Sequence, residues 1–389
     1  MTTRALAFFW LVVVGTNVAA YHSMALPWQG AILLAGAAWV LVAFHREVLR
    51  LVFAGDWVLA LAVLGTPVLA MLVSDRAFER GDYTSQIGVV LAFVVASALA
   101  MRPSLDRTLA FAALAIVAVA ASLDLYELFV ENNRWSVAPG RSAGFYVNPN
   151  ISAEALVGYG LVFLTFRRAA LRLADFAAMA LVVVGTVATF SRAGILAGVV
   201  LLAAAAMLRA APGRRLRTAA GTVAVGAAGL AFAAFVVATL DLSEDATARI
   251  LSLVEAWGIG DYGEARGEAT LAAVDLIALH PWLGNGVGTI EDMPEGPHNM
   301  FLAMLVEYGI PGLVAYMALI GALFVAARQR PRAAAAPALM IGAWLLAFSF
   351  SSHNLLGNPM TIPLLGFAVA RAWRLRSAAR DHGLRHALA

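Results

Sequence analysis

Long apolar runs alternate with short polar connections along almost the whole chain. Many runs approach the roughly 20 residues that a helix needs to cross a hydrocarbon core of about 30 Å. The chain is 62% hydrophobic and only 13% charged, a composition outside the range of soluble domains. We therefore predict an all-α polytopic membrane protein with about twelve transmembrane helices. The apolar runs lie near 5–21, 25–44, 55–73, 84–101, 108–130, 150–166, 173–190, 193–208, 218–240, 298–327, 335–352 and 358–373.

Two of these runs differ in length from an ordinary single span. The first run, 5–21, is as short as a signal peptide, but it lacks a small-residue cleavage site and further spans follow, so we interpret it as a retained helix. The run from 173 to 208 is long enough for two spans. A tight turn at Ser191 and Arg192 is predicted to divide it.

The positions of the arginines predict the orientation of the helices. The chain contains no lysine, and with the N-terminus inside, 20 of the 27 arginines fall on inner connections and 7 on outer ones. This asymmetry agrees with the positive-inside rule. It predicts transmembrane helices 1–9 over residues 1–240, an acidic outer loop over 241–297, and three further helices with a cytoplasmic tail over 298–389. In a bacterial inner membrane, that loop would be periplasmic, and two short helices are expected in it, near 244–257 and 264–279.

Several kinds of chemistry have little support in the sequence. The chain has no cysteine, which excludes disulfides and thiol catalysis. It contains neither a Walker loop nor a dinucleotide fingerprint, and nothing predicts a nucleic-acid partner. Acidic pairs such as Glu291 and Asp292 could hold a divalent cation, but solvated acidic loops are common. We expect neither a metal nor a cofactor.

The most informative stretch runs from His280 to Gly312. Its prolines and glycines forbid a regular helix before residue 298, so we predict an ordered loop that re-enters an apolar helix at His298 and Asn299. An imidazole at that boundary could act as a general base toward a sugar hydroxyl, or simply stabilise the helix start. We interpret His280, which precedes a proline, as structural. His353 is the alternative candidate for the base.

Three outer arginines are candidates for binding an anion, because guanidinium presents a planar fork of donors to phosphate oxygens. Each has a simpler alternative. Arg192 could place its charge at the membrane interface. Arg266 could form a salt bridge on a helix surface. Arg141 could pair with an acidic residue near the end of the preceding helix, for which the candidates are Asp124, Glu127 and Glu131.

Other polar residues in these segments have supporting roles. Asn150 is expected to cap the helix that follows the Arg141 loop. Glu154 and Glu307 fall within predicted spans, where a carboxylate is a functional candidate by default, although pairing with an outer arginine would also explain it.

The ordered motifs resemble the O-antigen ligase and O-antigen polymerase family of bacterial envelope glycosyltransferases. The resemblance covers roughly residues 141–312. Its motifs are Arg141-Ser-Ala-Gly-Phe with Asn148-Pro-Asn150, Ser191-Arg192-Ala-Gly194, His280-Pro-Trp-Leu-Gly-Asn-Gly-Val-Gly288, His298-Asn299 and Glu307-Tyr-Gly-Ile-Pro-Gly312.

This resemblance implies a GT-C-like, metal-independent glycosyltransferase whose donor is a glycan on undecaprenyl diphosphate. It also implies that His298 is catalytic and that Arg192 and Arg266 bind the diphosphate with Arg141 nearby. Asn148, Ser191, Asn299 and Glu307 are expected to support the site.

Three functions remain open. The leading hypothesis is an O-antigen ligase that transfers the glycan to a lipid A–core sugar at the periplasmic face, with inversion at the anomeric carbon. A polymerase of glycan repeat units would use the same donor chemistry. A transporter or flippase for lipid-linked sugars would need functional polar residues in both membrane halves. The candidates here lie on the predicted outer side, which favours an enzyme.

Overall fold

A computed structural model describes residues 2–21, 28–74, 78, 80–131, 133–167, 171–210, 212–224, 227, 231, 262–328 and 332–387. The elements in these ranges are helices. We number them α1 (Thr3–Gly15), α2 (Val18–Tyr21), α3 (Trp28–Ala43), α4 (His45–Val52), α5 (Gly55–Val73), α6 (Arg80–Ala100), α7 (Asp106–Phe129), α8 (Pro149–Phe166), α9 (Leu173–Ala188), α10 (Arg192–Arg209), α11 (Tyr262–Leu279), α12 (Met300–Arg328), α13 (Arg332–Ser349) and α14 (Ile362–Ala387).

These helices confirm the prediction of an all-α polytopic membrane protein. In the described ranges, five helices are long and apolar enough to span a membrane, or six if α3 and α4, which meet at 91°, form one broken span. Three shorter apolar helices accompany them. The number of twelve spans stays a prediction, since most of the run 218–240 and all of the predicted helix 244–257 lie outside the described residues.

The chain forms two compact units. The first comprises Met1–Gln29 and Asp106–Tyr262. Within it α8 is the central helix, because α7, α9 and α10 pack around it and almost every one of its side chains is buried. Small residues permit this packing: a Cβ on Gly194 of α10 would lie 2.5 Å from the Cβ of Ala153 in α8.

The second unit comprises Gly30–Leu105 and Gly263–Ala389. In it α6 packs against α14, and α13 packs against both α12 and α14. The predicted loop helix is observed as α11. One face of α11, with Ala273 at its centre, packs against Ile290, Ala303 and Val306, while Leu271 on another face is exposed.

Candidate functional site

A kink in α12 organises the site of the second unit. Gly309 has φ +62° and ψ −159°, which interrupts the helix, and Pro311 has no N–H to donate to the carbonyl of Glu307. The N–H of Ile310 turns away from the helix and donates to the carbonyl of Pro281 at 3.0 Å. The carbonyls of residues 306 and 307 therefore lose their helical donors and need new ones.

The loop at 281–288 supplies the missing donors. The backbone N–H of Asn285 donates to the carbonyl of Val306 at 2.7 Å, and that of Gly286 donates to the carbonyl of Glu307 at 3.2 Å. The side-chain Nδ2 of Asn285 donates to the carbonyls of Leu276 and Val306 at 2.8 and 3.1 Å. The two sequence motifs, one before and one inside α12, are therefore two halves of a single hydrogen-bonded structure.

Glu307 joins this structure through its side chain. Its Oε1 accepts the backbone N–H of Gly288 at 2.9 Å, and its carboxylate also accepts from the backbone of Ile290 and the hydroxyl of Tyr308. The carboxylate that the sequence places in a predicted span is thus bound by neutral donors, two from the adjacent loop and one from Tyr308 in α12.

His298 and Asn299 form the start of α12. The Oδ1 of Asn299 accepts the backbone N–H groups of Phe301 and Leu302 at 2.9 and 3.2 Å, so Asn299 caps the helix. His298 is half-buried and has φ +44°, a left-handed conformation that is uncommon outside glycine and asparagine. Backbone strain of this kind is often found at functional sites.

The imidazole of His298 lies against that of His353. The ring centroids are 5.4 Å apart with an angle of 60° between the planes. The backbone of Gly296 covers the second ring, because a Cβ there would lie 2.5 Å from His353 Cε1. Burial, together with the charge of His298, lowers the pKa of His353 to about 4. His353 is therefore neutral near pH 7, and the two alternative candidates for the base are neighbours.

A cavity of about 170 Å³ opens beside this pair, entirely within the second unit. Apolar side chains of α5 and α12 form part of its wall. The polar groups that line it are Gln86, Glu291, Glu307, Tyr308, His353 and Asn354. Gln86 was not predicted, although a glutamine inside the apolar run 84–101 was a sequence signal that could have drawn attention to it.

In the first unit, a buried carboxylate organises the loop that carries Arg141. Glu127 is completely buried, and its two oxygens accept four backbone N–H groups at 2.6–3.0 Å. The donors belong to Trp135, Ser136, Ala143 and Gly144. Because these donors flank Arg141 on both sides, Glu127 determines where the loop lies.

Arg141 connects this loop to the turn between α9 and α10. Its Nε donates to the carbonyl of Thr189 at 3.0 Å, and its Nη2 donates to Oδ1 of Asn150 at 2.9 Å. The following residue, Ser142, donates its N–H to the carbonyl of Ala188 at 3.4 Å. Arg141 is therefore attached to the turn that carries Arg192.

The predicted turn at Ser191 and Arg192 is confirmed. Ser191 is the N-cap of α10, and its Oγ accepts the N–H of Gly194 at 3.3 Å. Arg192, the first residue of α10, is exposed. Arg266 lies in the first two turns of α11, but its side chain is outside the described part of the chain.

The N-cap of α8 differs from the prediction. The sequence favoured Asn150, whereas the helix begins at Pro149 and is capped by Asn148, whose Oδ1 accepts the N–H of Asn150 at 2.9 Å. The physical reason is that proline suits the first helical position, so the cap precedes it. Asn150 accepts from Arg141 instead.

These features define a polytopic helical membrane protein with two polar regions, one around the Arg141 loop and one around the His298–His353 pair. In the described ranges, no group of three or more His, Asp or Glu residues is arranged to hold a metal ion. A family model described as O-antigen ligase matches residues 177–317. This match confirms the resemblance to the O-antigen ligase family over residues 177–317. The matched segment includes Arg192, Arg266, His298 and Glu307. A search of curated proteins found no match.

Proposed function

We propose that the protein is an O-antigen ligase-type glycosyltransferase. In this proposal, it moves a glycan from undecaprenyl diphosphate to a lipid A–core sugar at the periplasmic face of the inner membrane. The observation that carries the proposal is the contact between His298 and a half-buried His353 that is neutral near pH 7, beside a cavity. His298 lies within the segment that the family model matches.

In the proposed reaction, His298 takes the proton of the acceptor hydroxyl, and the hydroxyl oxygen attacks the anomeric carbon of the donor. The bond from that carbon to the phosphate oxygen breaks, so a single displacement inverts the configuration. Negative charge develops on the leaving diphosphate, which Arg192 and Arg266 bind. Groups that stabilise such developing charge are typically worth about 3–4 kcal/mol each. The positively charged guanidinium groups would stabilise this negative charge without a metal ion.

The contacts of Arg141 support a more specific role for this residue in the proposal. Its Nε and Nη2 atoms donate hydrogen bonds to the carbonyl of Thr189 and to Oδ1 of Asn150, beside the turn that carries Arg192. We assign it the role of a positioning residue that holds the turn in place, in addition to its predicted location near the diphosphate.

The test is transfer by purified protein supplied with an undecaprenyl-diphosphate glycan and lipid A–core. His298→Ala is expected to lower kcat by about 10²–10⁴-fold, the usual contribution of a general base. His280→Ala, an exposed histidine before the same loop, is the matched control and should retain activity. Unchanged transfer in His298→Ala would refute the assignment of the base.

The role of the arginines is tested with substitutions to lysine, which conserve the positive charge. Arg192→Lys keeps the charge and loses the planar fork, so we expect a loss of about 10²-fold in kcat. Arg134→Lys, which changes an arginine in an exposed ion pair with Glu131, is the control.

Loss of transfer with EDTA would refute the proposal that the reaction needs no metal ion. Extension of a second lipid-linked glycan in place of transfer to lipid A–core would identify a polymerase, and movement of the donor across vesicles without transfer would identify a transporter.

A further inference from the structure

We propose that the cavity of the second unit is the acceptor subsite and that it binds an uncharged, hydroxyl-rich sugar. This inference rests on the proposed function, because it assigns to the cavity the substrate that His298 would deprotonate. Its support comes from the size, the charge and the neighbours of the cavity.

The volume admits one ring. The cavity measures about 170 Å³. For comparison, a cavity of about 150 Å³ in another protein accommodates benzene. The size suits one sugar ring of a larger acceptor. It is too small for a diphosphate together with its attached sugar and lipid.

The charge of the lining excludes an anion and favours hydroxyl groups. Glu291 and Glu307 both line the cavity, and its described lining contains neither arginine nor lysine. His353 does not add a positive charge near pH 7, because its pKa is lowered to about 4. A diphosphate would therefore meet carboxyl groups and no cationic side chain in this lining, and like charges repel.

The polar groups suit a neutral sugar instead. Carboxylates accept from hydroxyls, the amide of Gln86 both donates and accepts, and the hydroxyl oxygen of Tyr308, whose hydrogen is donated to Glu307, can accept. Met71 and Met304 provide apolar surface in the same wall, against which the C–H face of a ring can pack. Polar groups set among apolar side chains are typical of sites that orient a small ligand.

The position of the cavity places its ligand next to the proposed base. His353 lines the cavity and contacts His298 ring to ring.

The first test separates acceptor from donor by kinetics. Tyr308→Phe and Gln86→Leu are each expected to raise the KM for the acceptor by roughly three- to tenfold, the effect of one lost hydrogen bond, and to leave the KM for the donor unchanged. Tyr316→Phe makes the same change in the same helix away from the cavity, where Tyr316 contacts Ser349 at 2.6 Å, and should leave the acceptor KM unchanged. A raised donor KM in the cavity variants, or an unchanged acceptor KM, would overturn the inference.

The second test measures ligand binding in the cavity by thiol labelling and does not depend on glycan transfer. Since the chain has no cysteine, Met304→Cys introduces a single thiol into the wall. Methyl glucoside, methyl glucuronide and inorganic pyrophosphate are compared for protection against a small methanethiosulfonate reagent. We expect slower labelling with methyl glucoside only. Glu295→Cys, on the exposed loop, is the control and should label at the same rate with every probe.

The outcomes distinguish the two proposals. Equal protection by the anionic probes, or no protection by methyl glucoside, would overturn the acceptor subsite. If His298→Ala still lowered transfer in that case, the proposed function would stand. Absence of transfer by the unmodified protein would refute the proposed function, whereas selective protection by the neutral sugar would still support a sugar-binding cavity.

Discussion

Asn285 offers a sharp test of how the loop before α12 is held. Its Nδ2 donates to the carbonyls of Leu276 and Val306 at 2.8 and 3.1 Å. Asn285→Asp keeps the shape of the side chain but replaces this donor with a carboxylate oxygen facing two carbonyl oxygens. Two lost hydrogen bonds are worth about 1–3 kcal/mol, and the repulsion adds to this. We expect a loss of about 2–4 kcal/mol in the free energy of unfolding at pH 8.

The same substitution at Asn299 should raise the free energy of unfolding instead of lowering it. There the Oδ1 atom accepts two backbone N–H groups at the start of α12, and Asn299→Asp preserves this acceptor. A negative charge at a helix N-terminus is typically worth about 0.3–1 kcal/mol of added stability. The pair therefore compares one chemical change in a donor role and in an acceptor role.

The assay is SDS-induced unfolding in a fixed detergent, followed by tryptophan fluorescence, with each variant compared to the unmodified protein at the same pH. The carboxyl introduced at position 285 should have a raised pKa in the folded state. Its destabilising effect should therefore be present at high pH and decrease as the pH falls through that value, where the protonated group can donate. Equal stability of the two variants at pH 8 would show that these hydrogen bonds do not hold the loop.

Three further predictions use the same unfolding measurement. Gly309→Ala should cost at least about 1 kcal/mol, because φ is +62° and a Cβ would meet a loop carbonyl at 2.5 Å; Gly321→Ala in the same helix, with nothing within 4 Å, should cost nothing, and equal effects would contradict the argument. Glu127→Gln should cost about 2–4 kcal/mol, because a buried acceptor of backbone N–H groups becomes partly a donor; Glu131→Gln, in an exposed ion pair, should change stability by less than about 1 kcal/mol, and a smaller effect at the buried position would refute the reasoning. The pKa of His353 in the folded state is about 4, below its usual value, so the unfolded state binds more protons between about pH 4 and 6.5. Stability should therefore fall as the pH is lowered through that window. His353→Gln should flatten this pH dependence, and an unchanged slope would contradict the reasoning.

Local signals in the sequence were sufficient for most of the helices. An apolar segment of membrane-spanning length can satisfy its backbone polar groups only by forming a helix, so hydrophobicity alone predicted most elements within a few residues. The turn at Ser191 was also predictable, because the capping serine and the helix it caps are adjacent in the chain. The cap of α8 lies two residues before the predicted Asn150, because Pro149 prefers the first helical position and the cap precedes it.

The partners of the candidate site residues could not be predicted in this way. His298 contacts a ring 55 positions later in the chain, Glu127 binds loop N–H groups that carry no side-chain signal, and Asn285 replaces helical hydrogen bonds lost at a distant kink. The sequence by itself therefore determined the membrane-spanning class, the resemblance to the O-antigen ligase family and the candidate site residues. Only the tertiary structure decided which of them meet, because long-range contacts depend on how helices pack and on which backbone groups that packing leaves without a partner.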